Sequence, residues 1–241
     1  MKKVYLVFVI PVLFYACENK EVDLEPAEPQ IVKFETLGDP TSTMYGVKPA
    51  AVSDDGSIIV GSANIGGSFR WENEKLEILS EVSAEDSISP TYAQGISSDG
   101  LVIVGTGGVQ YEIGEEQPIS FVATQAVRWK NGQIELLSAK DWRNVNSVAY
   151  DVSVDGSVIV GSNTRFFGDE FNGEAPVQTA TYWLNGEMHH LGYGEIKAIT
   201  NDGSVMVGTH YDVSETEDMG EIRQIIEQEK AVSWKNDIAT D

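Results

Sequence analysis

The side chains of this chain that could do chemistry are acidic and aromatic residues gathered in three insertions and one link. The insertions span residues 107–124, 164–179 and 210–229, and the link spans 139–146. From them we select a candidate ligand-binding set: Tyr111, Trp142, Arg165, Phe166, Phe167, Tyr211 and Asp212. Aromatic rings offer broad apolar faces and carboxylates accept hydrogen bonds from hydroxyl groups, so this composition predicts a glycan or a protein ligand. The alternative is that these loops are solvated and that their rings pack onto the scaffold.

No residues of the sequence form a recognisable catalytic constellation. Three histidines and one cysteine give no nucleophile–base pair. His189 and His190 are adjacent on a predicted strand, so they point to opposite faces and cannot chelate one ion together. Carboxylate pairs hydrolyse glycosides, but the insertions hold too many acids to single out two. We predict a binding protein without a cofactor and leave three alternatives open: calcium in the site, a carboxylate-dependent polysaccharide-degrading enzyme, or a structural subunit of an envelope assembly.

The insertions interrupt a unit that the chain repeats four times. Each copy has Ser or Thr, any residue, Asp-Gly, a short apolar run ending in Gly, and later a strand ending in Trp. The copies begin at Val52, Ile96, Val152 and Ile199, and their tryptophans are Trp71, Trp129, Trp183 and Trp234. Asp-Gly and Asn-Gly between strand-like runs predict type I′ hairpins, because that turn needs positive φ at both central residues. Each copy therefore predicts four antiparallel strands.

Four such copies predict an all-β protein, a β-propeller of four-stranded antiparallel blades rather than a β-sandwich. Residues 217–229 are compatible with either a helix or an extended hairpin. The last copy ends without an outer strand, whereas segment 31–38 matches the outer strands of the other copies. We predict that this segment completes the last blade and closes the ring, which would protect an open sheet edge. The alternative is that the sequence is part of a longer propeller.

The repeated tryptophans and aspartates have structural interpretations. A tryptophan at the same position in every copy predicts packing between blades rather than a ligand cage. The aspartates of the Asp-Gly pairs are predicted to form turns, since short polar side chains bond to the nearby backbone. They are Asp55, Asp99, Asp155 and Asp202.

The unit resembles the HAF repeat, the "probable extracellular repeat" of bacterial surface and secreted proteins. The resemblance rests on Ser-x-Asp-Gly-Ser-x-x-Val-Gly followed by a Trp strand and Asn-Gly, and it covers roughly residues 46 to 237. It implies a propeller-like repeat fold and an extracellular or cell-envelope location. It implies no shared chemistry.

The N-terminus predicts export and a lipid anchor. Residues 1–16 have a basic start and an uncharged stretch too short to span a bilayer, which is typical of a signal peptide. Cys17 follows a small residue at the cleavage position and resembles the lipobox of bacterial lipoproteins; an ordinary signal peptide with an incidental cysteine is the alternative. Residues 17–30 are then the lipidated Cys17 and an acidic tether, and residues 31–241 the propeller domain. We expect an outer membrane-anchored lipoprotein that faces the periplasm or the cell surface.

The composition limits the kinds of partner that this protein is expected to bind. The formal net charge of −22 repels phosphate backbones, so no nucleic-acid partner is expected. A single cysteine permits neither an intramolecular disulfide nor a thiolate zinc site. The membrane is expected to be contacted through the lipid anchor only.

Overall fold

The structure, a computed structural model, describes residues 37, 46–63, 67–79, 81, 88–113, 119–138, 146–165, 177–218 and 221–235. The chain divides into two units, residues 1–35 and residues 36–241, and all described residues belong to the second. The predicted signal peptide, Cys17, the tether and, apart from Leu37, segment 31–38 lie outside the described residues. What the sequence predicts for them stays a prediction.

Fourteen antiparallel β-strands make up three sheets, and no helix occurs in the described ranges. The first sheet contains β1 (Val47–Val52), β2 (Ile58–Ala63), β3 (Ser68–Glu72) and β4 (Lys75–Ile78). The second contains β5 (Thr91–Ile96), β6 (Val102–Ile113), β7 (Ile119–Lys130) and β8 (Gln133–Leu136). The third contains β9 (Val148–Val152), β10 (Val158–Arg165), β11 (Val177–Leu184), β12 (Glu187–Ile199), β13 (Val205–Asp218) and β14 (Glu221–Lys235). Across these ranges no helix is long and apolar enough to cross a membrane.

The four copies map onto the three sheets. The first and second copies each form one four-stranded sheet, whereas the third and fourth share β12. Residues 187–193 of β12 pair with β11, and residues 194–199 pair with β13. The all-β, antiparallel prediction is confirmed. Sheets of four, four and six strands are compatible with a propeller-like fold or a sandwich, and the described residues show no closed ring.

In their described parts, the three insertions continue the strand pairing of the repeat unit. The ladders of β6–β7, β10–β11 and β13–β14 continue outward beyond the repeat unit. Their outermost pairs are Ile113 with Ile119, Arg165 with Val177, and Asp218 with Glu221. The described part of 217–229 is strand, so the hairpin alternative holds there.

The Ser-x-Asp-Gly turn is held by its own side chains. In the first copy, Ser53 Oγ donates to Asp55 Oδ1 at 2.7 Å, and Asp55 Oδ1 also accepts from Ser57 N at 2.9 Å. Ser53 Oγ accepts in turn from Ile58 N at 3.0 Å. The same three kinds of bond recur in the other copies. The prediction that the repeated aspartates form turns is confirmed.

The two kinds of tight turn differ in backbone conformation. Asn131 and Gly132 have φ of 54° and 75°, which fits the predicted type I′ hairpin. In the Asp-Gly turn, φ is positive at Gly56 (73°) but not at Asp55, and Gly56 N donates to Ser53 O at 2.9 Å. This is a longer hairpin loop that ends in a left-handed glycine. The type I′ prediction was therefore wrong for the Asp-Gly turns, because the side-chain bonds close a wider loop.

A β-bulge interrupts the first strand of every copy at the same place. The extra, unpaired residues are Ala50, Gln94, Tyr150 and Lys197. Facing the bulges stand Gly61, Gly105, Gly161 and Gly208, the glycines that end the apolar run. A Cβ atom at Gly105 would lie 2.1 Å from the Tyr92 carbonyl oxygen. The repeated glycine is thus required because the bulged backbone of the neighbouring strand lies too close to leave room for a side chain.

Successive copies pack turn against strand. The Asp-Gly glycine of each later copy faces the first residue of the second strand in the copy before it. A Cβ atom would lie 2.2 Å from Ile58 at Gly100, 2.6 Å from Val102 at Gly156, and 3.4 Å from Val158 at Gly203. At Gly56, in the first turn, no described atom lies within 4 Å of this position. The fourth turn instead reaches the first through a side chain, with Asn201 Nδ2 donating to Asp54 Oδ2 at 3.2 Å.

Apolar side chains bury themselves between neighbouring copies in three groups. Trp129 and Trp183 are fully buried, whereas Trp71 and Trp234, in the outer copies, are half-buried. Trp183 Nε1 donates to Ser138 Oγ at 2.8 Å, which satisfies its polar group. The prediction that the tryptophans pack between copies is confirmed for the two middle ones.

Candidate functional site

The bulges of the third and fourth copies bring the side chains of Tyr150 and Lys197 together. Lys197 Nζ lies 3.8 Å from the centroid of the Tyr150 ring. A bulge aims its extra side chain out of the regular ladder, and an ammonium group over an aromatic face is attractive. Two first strands of neighbouring copies therefore create one contact between a cation and a phenol.

Glu195 connects this pair to the root of the β10–β11 hairpin. Its Oε2 accepts from Lys197 Nζ at 2.8 Å, Tyr150 OH at 3.2 Å and Gln178 Nε2 at 3.4 Å. Gln178 Nε2 also donates to Ser162 Oγ at 3.0 Å. The Glu195 side chain is 15% exposed, and Oε1 is not among the described polar atoms that are buried without a partner. We call these five residues the Glu195 cluster.

The charges of the cluster are set by burial and by its hydrogen bonds. Burial disfavours the Lys197 ammonium, but the bonds to Glu195 and Tyr150 outweigh it and raise the pKa of Lys197. Tyr211 lies beside the cluster, and burial together with the negative charges of Glu195 and Glu229 raises the pKa of its phenol. At neutral pH the site thus presents the Lys197 ammonium and the neutral Tyr211 phenol.

Asp212 lies on the other face of β13 from Tyr211. Successive side chains of a strand alternate between faces, and His210 and Asp212 are two residues apart. His210 Nε2 lies 3.5 Å from Asp212 Oδ1, and Lys230 Nζ pairs with Oδ2. The bond from Lys230 lowers the pKa of Asp212. Asp212 therefore belongs to a separate ion-pair group.

The structure distributes the predicted binding set over several places. Tyr111 is buried and its ring stacks on Phe121, with centroids 5.5 Å apart and planes 14° apart. Arg165 is the last residue of β10, and its side chain lies outside the described part. Trp142, Phe166 and Phe167 also lie outside it. Of the set, Tyr211 is the residue placed beside the Glu195 cluster, and the binding roles stay predictions.

The two adjacent histidines make separate contacts, as their strand position predicts. The His189 ring stacks on Tyr182 at 4.8 Å, whereas His190 Nδ1 lies 3.0 Å from Thr181 Oγ1. In the part of the chain that the structure describes, no three His, Cys, Asp or Glu residues come together in a way that could hold a metal ion.

Sequence reasoning missed Tyr150, Glu195 and Lys197. The bulged residue stands three positions before the Ser or Thr of each turn and differs in every copy. The neighbouring positions of the first strand differ between copies as well, so the sequence alone does not single out the bulge.

Fold and site together define an all-β repeat protein with a half-buried polar cluster between its last two copies. No protein-family model matches the chain, and no curated protein matches it. Among solved structures, it is similar to an oligogalacturonate lyase from Vibrio parahaemolyticus, with 12% sequence identity and a TM-score of 0.26. The match covers 65% of this chain and 56% of that protein. A likeness this slight carries no argument about this chain.

Proposed function

We propose that this protein is a lipid-anchored envelope or cell-surface protein that binds a ligand at the Glu195 cluster and does not catalyse a reaction. The observation that carries the proposal is the half-buried Glu195 carboxylate. Lys197, Tyr150 and Gln178 fix one of its oxygens. The other oxygen, Oε1, is not among the described polar atoms that are buried without a partner, so a ligand donor can reach it from solvent.

A glycan fits this arrangement best. Its hydroxyl groups could donate to Glu195 Oε1 and accept from the exposed Lys197 ammonium, while a sugar ring could lie against the half-buried Tyr211. The cluster sits where the first strands face the hairpin insertions, the region whose composition predicts binding. A protein segment is the second candidate ligand, because hydroxyl and backbone amide groups can make the same bonds.

The binding test is a glycan array probed with soluble protein of residues 18–241, with calcium and with EDTA. We expect a reproducible hit that Glu195→Gln weakens at least about tenfold, since bonds to a charged group contribute about 1.5–3 kcal/mol. Glu72→Gln is the matched control, because Glu72 is ion-paired to Arg70 in the first sheet, whereas the cluster belongs to the third. Loss of the hit in EDTA would add calcium to the site. A blank array at high protein concentration would reject a glycan ligand.

We further propose a four-bladed propeller of HAF-type repeats as the scaffold, closed by segment 31–38. The four copies of one unit support it, as does the bond from Asn201 in the fourth turn to Asp54 in the first. In this arrangement segment 31–38 would pair with β14, which stands at the edge of its sheet. Deleting residues 30–38 should then lower the melting temperature, and an unchanged value would reject the closure.

The anchor is proposed from Cys17 and the uncharged stretch before it. Expressed in a Gram-negative host, the full-length protein should incorporate labelled palmitate and fractionate with the outer membrane. Cys17→Ala should abolish both. Labelling that survives this substitution would reject Cys17 as the acylated residue.

A further inference from the structure

The bulge is a place where the four copies share a backbone conformation but differ in side chain. The residue that faces the bulge is glycine in all four copies, because the backbone of the bulged strand leaves no room for a Cβ atom. The bulged residues themselves are Ala50, Gln94, Tyr150 and Lys197. The fold therefore fixes where the bulged residue lies but not which side chain it carries.

The bulges of consecutive copies are neighbours. A Cβ atom at Gly95, next to the bulged Gln94, would lie 2.7 Å from the Tyr150 carbonyl oxygen, so the second and third bulges touch. The Lys197 ammonium over the Tyr150 ring joins the third bulge to the fourth. Three bulges thus form one continuous row that ends in the Glu195 cluster.

Gln94 is the member of this row that no contact explains. Its side chain is half-buried, and within the described ranges no group bonds to its amide. A primary amide carries two donor hydrogens and a carbonyl acceptor, and neither Gln94 amide atom is among the described polar atoms that are buried without a partner. The amide is therefore open to solvent, and the hydroxyl groups of a ligand, which both donate and accept, could bond to it.

We propose that the bulged residues are the specificity-determining positions of the binding site, and that Gln94 contacts the ligand together with Tyr150 and Lys197. The inference rests on the proposed function, since it names further contacts of the same ligand. The ligand is then a hydroxylated ring that lies along the row, with the Gln94 amide at one end and the Glu195 carboxylate at the other. Ala50 offers no polar group, so the first copy contributes none.

The test compares Gln94→Ala with Gln133→Ala, an exposed glutamine of β8, on the array glycan that the unmodified protein binds best. Gln94→Ala should weaken binding about fivefold or more, since a net hydrogen bond contributes about 1 kcal/mol. Its melting temperature should stay unchanged, because other copies carry other residues at this position. Gln133→Ala should change neither quantity. Gln94→Tyr should also change the order in which the array glycans are bound.

Each result decides the matter. Binding that falls in Glu195→Gln but is unchanged in Gln94→Ala and Gln94→Tyr would overturn the role of the bulges and leave the proposed function standing. Failure of Gln94→Ala to fold would overturn the claim that the position is free of structural demands. A blank array for the unmodified protein would overturn both the proposed glycan ligand and this inference.

Discussion

Replacing Gly105 by alanine tests the close approach between the bulged first strand and the glycine that faces it, which every copy contains. The new Cβ atom would lie 2.1 Å from the Tyr92 carbonyl oxygen and 2.9 Å from Ala93 Cα. Both are backbone atoms of β5, so no side chain can move aside, and the first strand must shift or lose its bulge. We expect Gly105→Ala to lower the free energy of unfolding by about 3 kcal/mol, the upper end of the usual cost of overpacking.

Gly132→Ala is the matched control for this substitution. No described atom lies within 4 Å of a Cβ atom there, but φ is 75°. The left-handed conformation alone should cost about 1 kcal/mol in an L-residue. The difference between the two variants isolates the clash from the general loss of a glycine.

Urea unfolding followed by tryptophan fluorescence measures both effects, since Trp129 is buried opposite Ile103 in the same sheet. With a slope of about 2 kcal/mol per molar urea, the midpoint should fall by about 1.5 M in Gly105→Ala and about 0.5 M in Gly132→Ala. Equal shifts in the two variants would show that the bulge gives way easily and would refute the argument.

Three further outcomes follow from the turns and the core. Hydrogen bonds from the side chains of Ser53 and Thr200, and then from the local backbone, hold the pKa of Asp55 and Asp202 at about 2. As the pH falls, these carboxylates are protonated in the unfolded chain before they are protonated in the folded protein. The free energy of unfolding should therefore decrease between about pH 4 and pH 2, as measured by circular dichroism. Asp202→Asn should make that loss shallower, and an unchanged acid profile would contradict the role of this carboxylate. Trp183→Phe should cost about 1–3 kcal/mol in urea unfolding, because it removes buried volume and the bond to Ser138; a smaller effect than that of Trp71→Phe would reject the burial argument.

The parts of the fold that depend on local sequence could be predicted. The Asn131-Gly132 hairpin and the Asp55 turn are determined by residues within five positions of each other. The hairpin was predicted with its turn type, and the Asp55 turn was predicted as a turn but with the wrong type. The sequence shows that Gly105 belongs to a repeat. It does not show that a side chain is excluded there, because the excluding atom belongs to Tyr92 in another strand.

The continuity of β12 could not be foreseen for a similar reason. Gly192 and Gly194, which look like a strand end, have φ of 107° and 130° and let the strand pass from β11 to β13 without a link. In the Glu195 cluster, the hydrogen bond from Tyr150, at the bulge, to Glu195 joins residues 45 positions apart. Neither spacing nor residue type points to such contacts before the register is known.

Each Asp-Gly turn after the first packs on the copy that precedes it in the sequence. Such contacts join each copy to the next, whereas Gly56, in the first turn, has no described neighbour that would join the fourth copy to the first in the same way. These contacts support the second and third copies from both sides, and the outer copies from one side unless segment 31–38 closes the ring as proposed. In an open array, amide hydrogens of β1 and β14 should exchange first and those of β6 and β10 most slowly. In a closed ring, β14 should be protected as well as β10, so hydrogen exchange distinguishes the two arrangements.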